Sequence, residues 1–271
     1  MSTKPINGTD AADTITFTDT STTVNAHEGA NTVTGTTGNN VINSGDGADT
    51  ITVTSGNNTI NAGGGANTIV ATSGINVINT GDGADTITTG GLTDGGNTID
   101  AGDGANTITT GAGNDTITGG SGVDTITTGA GNDVVHAGNG ANTVTTGAGN
   151  DIVYSGVDTD TITTGAGDDV IHIKGGTDTI AAGTDNDTLI ADFSLATNAV
   201  RINNLAGTAA AGYAGNISAL GIVTFAGVEN FVITSGGFND IITTGDGNDV
   251  VHAGAGSDTV SLAGGNDQAI Y

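Results

Sequence analysis

The chain of 271 residues has no cysteine, no tryptophan, one proline and one methionine, and aromatic residues make up 3% of it. Without cysteine there are no disulfides, zinc–thiolate sites or thiol catalysis. So few aromatics argue against a conventional layered core. Cationic side chains are almost missing: 3 Lys and Arg stand against 29 Asp and Glu, a formal net charge of −26. Nothing here neutralises a phosphate backbone, so nucleic acid is excluded as a partner. Lys4, Lys174 and Arg201 are the whole cationic complement, too little to stabilise an oxyanion or a phosphate. No GxSxG nucleophile elbow occurs. His27-Glu28 is followed by Gly29-Ala30-Asn31 and not by the second histidine of a zinc-protease helix. No catalytic residue is assigned, and the chain is not read as an enzyme. No hydrophobic run approaches membrane-spanning length, which argues against membrane insertion. Met1-Ser2-Thr3-Lys4-Pro5 lacks the apolar stretch of a cleaved secretory signal.

What is present is regularity. Strong negative charge with few aromatics ordinarily points to disorder. Here a β-branched residue recurs every nine positions: Ile15, Val24, Val33, Ile42, Ile51, Ile60, Ile69, Ile78 and Ile87. After a three-residue insertion the phase resumes at Ile99 and runs through Ile108, Ile117, Ile126, Val135, Val144, Val153, Ile162, Ile171 and Ile180 to Leu189. Each anchor sits in a short strand, and most strands follow a glycine turn such as Gly129-Ala130-Gly131-Asn132-Asp133. Alternation along a strand sends the anchor inward and its two neighbours outward. Strands of three residues cannot stand alone, so neighbours must stack. The fold expected is all-β: a parallel β-roll, a two-sheet β-solenoid with 18 residues per coil around a thin aliphatic seam.

These residues resemble the repeats-in-toxin (RTX) family, whose calcium-binding nonapeptide reads G-G-x-G-x-D-x-U-x, with U a large apolar residue. Gly119-Gly120-Ser121-Gly122-Val123-Asp124-Thr125-Ile126-Thr127 matches it in full, and Thr128 to His136 departs only at the first glycine. The resemblance covers about residues 7 to 190 and 233 to 267. It implies several calcium ions, each held by sixth-position carboxylates of loops one coil apart and by glycine-loop carbonyls, hard oxygen donors suited to that ion.

Read at 18-residue steps, the sixth position differs between the two edges. One edge reads Asp13, Asn31, Asp49, Asn67, Asp85, Asn106, Asp124, Asn142, Asp160, Asp178, so that each early gap is expected to offer one carboxylate and one amide oxygen. The other reads Thr22, Asn40, Asn58, Asn76, Asn97, then Asp115, Asp133, Asp151, Asp169, Asp187. Turns such as Ser55-Gly56-Asn57-Asn58 and Ser73-Gly74-Ile75-Asn76 also lose a glycine and are read as calcium-free turns held by stacked amides. By the resemblance the best calcium sites lie between residues 111 and 187. Their turns contain Gly111, Gly113, Gly129, Gly131, Gly147, Gly149, Gly165 and Gly167, with further ligands at Asp240, Asp249, Asp258, Gly245 and Gly247. Aspartate also favours turns for its own sake.

Residues 191 to 232 break the period. Four of five phenylalanines, Phe193, Phe225, Phe231 and Phe238, fall at or near this stretch, which suggests a small local core. The organisation expected is a main roll over 1–190, an interruption over 191–232 and a resumed roll over 233–271. Solenoid ends need covering. Either Met1 to Gly8 folds over the first end or another subunit stacks on it.

One sheet carries a double column of threonine: Thr32 and Thr34, Thr50 and Thr52, Thr86 and Thr88, Thr107 and Thr109, Thr125 and Thr127, Thr143 and Thr145, Thr161 and Thr163. Rows about 4.8 Å apart, with pairs roughly 6.7 Å apart, make a lattice like the faces of ice-binding solenoids. Threonine also simply suits an exposed strand. The opposite sheet carries Asn25, Asn43, Asn61 and Asn79, then His136, Tyr154 and His172, beside Val41, Val77, Val134, Ile152 and Val170. Exposed apolar residues in a row suggest a contact surface. His136 and His172 are two coils apart, too far to share a metal.

The function expected is a secreted, non-enzymatic calcium-binding β-roll outside a bacterial cell, as matrix, surface layer or fibre, folding and self-associating on calcium. One alternative is an ice-binding or adhesin segment using the threonine face. The other is a carrier module for type I secretion, the export route the resembled family implies.

Overall fold

The computed structural model describes residues 5–18, 21–91, 95–208, 210, 212–219 and 221–271, and every regular element in it is a β-strand. Among the described residues no helix is long and apolar enough to cross a membrane. Two compact units, Met1–Ala137 and Gly138–Tyr271, are built on the same plan.

In the first unit one parallel sheet runs in the order Ile6–Asn7, Thr23–Asn25, Val41–Asn43, Thr59–Asn61, Val77–Asn79, Thr98–Asp100, Thr116–Thr118, Val134–His136. The other runs Thr14–Phe17, Thr32–Gly35, Thr50–Val53, Thr68–Ala71, Thr86–Thr89, Thr107–Thr109, Thr125–Ala130. Successive strands of the chain alternate between the two sheets, which is the parallel β-solenoid expected. The cause is the large apolar anchor in each nonapeptide, joined on the inner side two residues later in several strands by a second buried side chain such as Val53 or Ala71. Thr107–Thr109 and Thr116–Thr118 are each exposed, buried, exposed, so within these strands the anchor alone faces inward. Anchors from Val24 to Ile126 are at most 1% exposed, and each contributes about 1.5–3 kcal/mol by burial. Partners are 18 residues apart, as in Thr50↔Thr68, except across the insertion, where Thr86↔Thr107 and Ile87↔Ile108 are 21 apart. The register is intact on both sides of the insertion.

Glycine enables the coils to pack this closely. Gly131 has φ +139°, and a Cβ there would stand 2.1 Å from the Gly113 carbonyl oxygen. At the first end Ile6–Asn7 pairs in parallel with Thr23–Asn25, adding a half-coil and not folding over the end. Residues 1–4 of the expected cover lie outside the described residues.

The second unit starts with the same coil. One sheet runs Ile152–Tyr154, Val170–Ile173, Thr188–Asp192, Asn230–Thr234, Val250–His252, Gln268–Ile270. The other runs Thr143–Ala148, Thr161–Ala166, Thr179–Thr184, then Ile222–Val228, Gly212–Ser218, Arg201–Thr208, and on to Ile241–Thr243 and Thr259–Ser261. The interruption is thus an antiparallel meander of three longer strands inserted within the sheet. Its last strand pairs in parallel with Thr179–Thr184. Its first meets the resumed roll at Arg201↔Ile241. Phe225 and Phe231 pack edge to face, 5.3 Å between centroids, and Phe193 is buried too. Phe238, expected in that cluster, is 44% exposed and stands outside it.

Within Asn230–Thr234 the anchor changes. Phe231 pairs with Leu189 on one side, whereas Ile233 pairs with Val251 on the other. A slip of two residues keeps each side chain on its own face, because the strand's side-chain period is two.

Candidate metal centres

Each turn holds its sixth-position side chain with one repeated bond. Oδ1 accepts the backbone N–H of the sixth-position residue one coil earlier, as for Asn31 Oδ1 from Asp13 (2.9 Å) and Asp49 Oδ1 from Asn31 (2.7 Å). Asparagine and aspartate therefore sit alike, and they differ in the second terminal atom.

For asparagine that atom closes the turn. Asn31 Nδ2 donates to the carbonyls of Gly29 (2.9 Å), His27 (3.1 Å) and Ser44 (3.1 Å), that is, two residues back, four back and thirteen ahead. Asn67 does the same to Gly65, Gly63 and Thr80, and Asn106 to Gly104, Gly102 and Gly119. The amide oxygen of these residues is already engaged by a backbone N–H, and the amide nitrogen points into the carbonyl cage. Such gaps were expected to offer an amide oxygen as ligand; in this structure that oxygen accepts the N–H of the coil before.

For aspartate the isosteric second atom is an oxygen. Oδ2 of Asp49, Asp85, Asp115, Asp160, Asp169, Asp178, Asp187, Asp240 and Asp249 is buried with no hydrogen-bond partner. A carboxylate oxygen placed where an amide N–H meets carbonyls needs a proton or a cation beside it. Desolvation accordingly raises the pKa of Asp49, Asp85, Asp115, Asp124, Asp169 and Asp249, and lifts Asp160 and Asp187 to about 7 and Asp178 to about 6. The donor set, carboxylate plus carbonyl oxygen, suits a hard cation such as calcium. Among the described residues no three acidic or histidine side chains converge. A cation here must therefore complete its shell from turn carbonyls.

The site residues expected from sequence are brought into this frame. Asp124, Asp133 and Asp151 are buried in the same position, and Asp258 is half-buried, with Oδ1 accepting the N–H of Asp240 (2.9 Å). Gly113, Gly129, Gly131, Gly147, Gly149, Gly165 and Gly167 have φ between +103° and +139°. Gly111, Gly245 and Gly247 do not adopt that conformation. The Tyr213 ring lies against Gly245, and Tyr213 Oη accepts the N–H of Asp246 (2.8 Å), so the meander shapes that turn.

On the second edge of the first unit the amides form one ladder. Nδ2 of Asn40 donates to Oδ1 of Asn58, Asn58 to Asn76, Asn76 to Asn97, and Asn97 to Oδ1 of Asp115, at 2.9–3.1 Å. A second ladder on the outer sheet face runs Asn61 to Asn43, Asn43 to Asn25 and Asn25 to Asn7.

Sequence reasoning missed the hydroxyls five residues before many of the aspartates. Ser44 Oγ donates to the Ala62 carbonyl (3.0 Å), Thr110 to Thr128 (2.8 Å) and Thr164 to Ala182 (2.7 Å). Each of these carbonyls lies thirteen residues after the aspartate, the place an asparagine amide serves in the other turns. The signal was legible: Ser44 and Thr80 precede Asp49 and Asp85, whereas Ala26 and Ala62 precede Asn31 and Asn67. Glu229 was also missed. It is 5% exposed, and its Oε2 accepts the N–H of Asp187 (2.8 Å).

The threonine columns stand in register. Thr14, Thr32, Thr50, Thr68, Thr86, Thr107 and Thr125 form one column of the first unit, all exposed. The second column, Thr16 to Thr127, is broken by Val70. In the second unit Thr143 pairs with Thr161, and Thr145 with Thr163, after which Ala181 follows. Tyr154 and His172 stack, with centroids 4.4 Å apart.

The model of the RTX calcium-binding nonapeptide repeat matches overlapping segments that together span residues 26–193, and again 234–269. Residues 194–233, the stretch holding the three meander strands, fall outside it. No curated protein matches the chain. Among solved structures the chain is similar to one described as a hyperactive, Ca2+-dependent, beta-helical antifreeze protein from an Antarctic bacterium. Identity is 19%, coverage 96% of this chain and 84% of that one, and the TM-score 0.35. A likeness of that extent says nothing about ligand or activity.

Proposed function

The chain belongs to the RTX calcium-binding nonapeptide repeat family, and from that premise we propose that it is an extracellular, non-enzymatic β-roll whose folding is coupled to several calcium ions. Proteins of this family are generally extracellular or secreted. The observation that carries the proposal is the row of buried, donorless Oδ2 atoms repeated at 18-residue steps. Asp115, Asp160, Asp169, Asp178, Asp187, Asp240 and Asp249, with the carbonyls of their own turns, would hold the ions. Calcium would supply the positive charge that lets these carboxylates stay ionised out of water. The protein's own part is to align the carbonyls through left-handed glycines and to cap the thirteenth carbonyl with a hydroxyl. Without ions the carboxylates repel one another and the coils separate. Low cytosolic calcium then keeps the chain open for type I export, and folding follows outside. We read 1–190 as main roll, 191–232 as interruption and 233–271 as resumed roll.

The role proposed is structural, as matrix, surface layer or fibre, with self-association through exposed strand edges. The test is a calcium titration of chelated protein, followed in parallel by circular dichroism and light scattering. A coil-to-β transition with a rise in scattering is expected. A transition at constant size removes assembly, and no transition removes calcium coupling.

A second reading, an ice-binding face, is favoured by the seven exposed threonines in register from Thr14 to Thr125. Thr107→Lys on the folded protein tests it. Unchanged ice-crystal shape, or no shaping by the parent, ends that reading.

A further inference from the structure

Glu229 is one of only two glutamates in the chain. It lies on the inserted meander, beyond the family match, yet it occupies the position of a repeat's sixth residue. The N–H of Asp169 donates to Asp187 Oδ1 (2.9 Å), and the N–H of Asp187 donates to Glu229 Oε2 (2.8 Å), so the ladder passes from repeat to insertion without a break. The backbone follows the same stacking: Gly227 has φ +75°, and a Cβ there would stand 2.6 Å from the Gly183 nitrogen. Asn230 Nδ2 fastens the junction by donating to the Asp187 carbonyl (3.2 Å) and to Asn186 Oδ1 (3.1 Å).

Two carboxylates therefore meet in a buried place. Asp187 is 0% exposed and its Oδ2 has no hydrogen-bond partner, while Glu229 is 5% exposed. Burial raises both pKa values; repulsion from Asp169 and Glu229 adds to the rise at Asp187, and repulsion from Asp185 adds to that at Glu229. Hydrogen bonds from N–H groups occupy Asp187 Oδ1 and Glu229 Oε2, and they leave Asp187 Oδ2 without compensation.

We infer that a divalent cation of the calcium class is held between Asp187 and Glu229, and that it fastens the inserted meander to the roll. Glutamate serves here because the turn is shorter than a nonapeptide turn: Phe225 pairs with Ile180 and Phe231 with Leu189. The turn at Gly227 therefore approaches the coil differently from a nonapeptide turn, and the longer side chain spans the difference. The inference rests on the reading of the aspartate turns as calcium sites.

The test uses the full chain with calcium as the probe. Native mass spectrometry counts bound ions, and hydrogen exchange follows the segments 212–218 and 222–228 against 161–166. Glu229→Gln supplies an amide in place of the carboxylate. It is expected to bind one ion fewer, and protection of the meander is expected to stop rising with calcium while 161–166 still responds. Glu229→Asp keeps the charge on a shorter arm and should weaken that ion about tenfold. An unchanged ion count in E229Q overturns the assignment. So does unchanged affinity in E229D, should E229Q fail to fold. If 161–166 in the parent ignores calcium, the wider reading fails; if only the meander ignores it, this inference alone fails.

Discussion

The turns at Asn40, Asn58 and Asn76 and those at Asp160, Asp169 and Asp178 share a buried side chain and an Oδ1 bond to the coil before. In that side chain they differ by one atom, nitrogen against oxygen, and that atom decides whether its polar groups are satisfied within the protein. Asn58 Nδ2 donates to both the Gly56 carbonyl (2.8 Å) and Asn76 Oδ1 (3.0 Å), so its hydrogens are spent within the protein. Asp169 Oδ2 is buried without a hydrogen-bond partner. The first kind of turn is self-sufficient, and the second requires something from solution. The sixth position can thus be written in a form the protein satisfies by itself or in one that needs a proton or a cation beside it.

The comparison breaks most directly on removing calcium. With chelator, strands 161–166, 170–173 and 179–184 are expected to lose exchange protection by about 100-fold or more, while 41–43, 59–61 and 77–79 keep theirs. Equal loss in both stretches, measured by hydrogen–deuterium exchange, would show that the amide ladder does not hold its coils. Next in size is Asn58→Asp, which replaces two donated hydrogen bonds by a buried charge among carbonyls. It should cost about 3 kcal/mol in thermal unfolding under chelator.

The pH dependence sharpens the same contrast. Asp160 and Asp187 titrate at about 7 in the metal-free fold against 3.8 for the ordinary group, so the folded chain binds more protons than the unfolded one between those values. Metal-free stability of their stretch should therefore be fully present below about pH 4 and be lost as pH rises through 7. Calcium, competing with those protons, should bind more weakly at pH 5 than at pH 8, and calorimetry should record proton release on binding. Protein whose metal-free melting temperature rises over this range would contradict the assignment. The smallest effect expected is that of Asp169→Asn, which should stabilise the chelated protein by about 1 kcal/mol and lower the ion count, as melting and native mass spectrometry would show.

Much of this was legible from residue spacing alone. A large β-branched anchor at every ninth position has only one way to be buried, so the anchors, the 18-residue coil and the threonine columns follow from periodicity. The carboxylate positions follow from the same count. The direction in which an asparagine amide faces did not, because it depends on which backbone groups are already paired. Hence Asn31, Asn67 and Asn106 fill their gaps where a ligand oxygen was expected. Glu229 stayed hidden because the nonapeptide stops before it and the strand after it changes anchor. Phe238 and Gly245 depend on how the meander folds back, which no local pattern carries.

The two asparagine ladders of the first unit point in opposite directions. Along the edge, each Nδ2 donates toward higher residue numbers, from Asn40 to Asp115. On the outer face, each donates toward lower numbers, from Asn61 to Asn7. Aligned amides add their dipoles head to tail and polarise one another, as peptide groups do along a helix. The edge ladder is thus a small electrical lead whose positive end rests on Asp115, the carboxylate at which the amides give way to acids. The outer ladder returns in the opposite sense. The coil wall acquires a polarity from its uncharged residues, set so that the first ionisable turn meets it with the favourable sign.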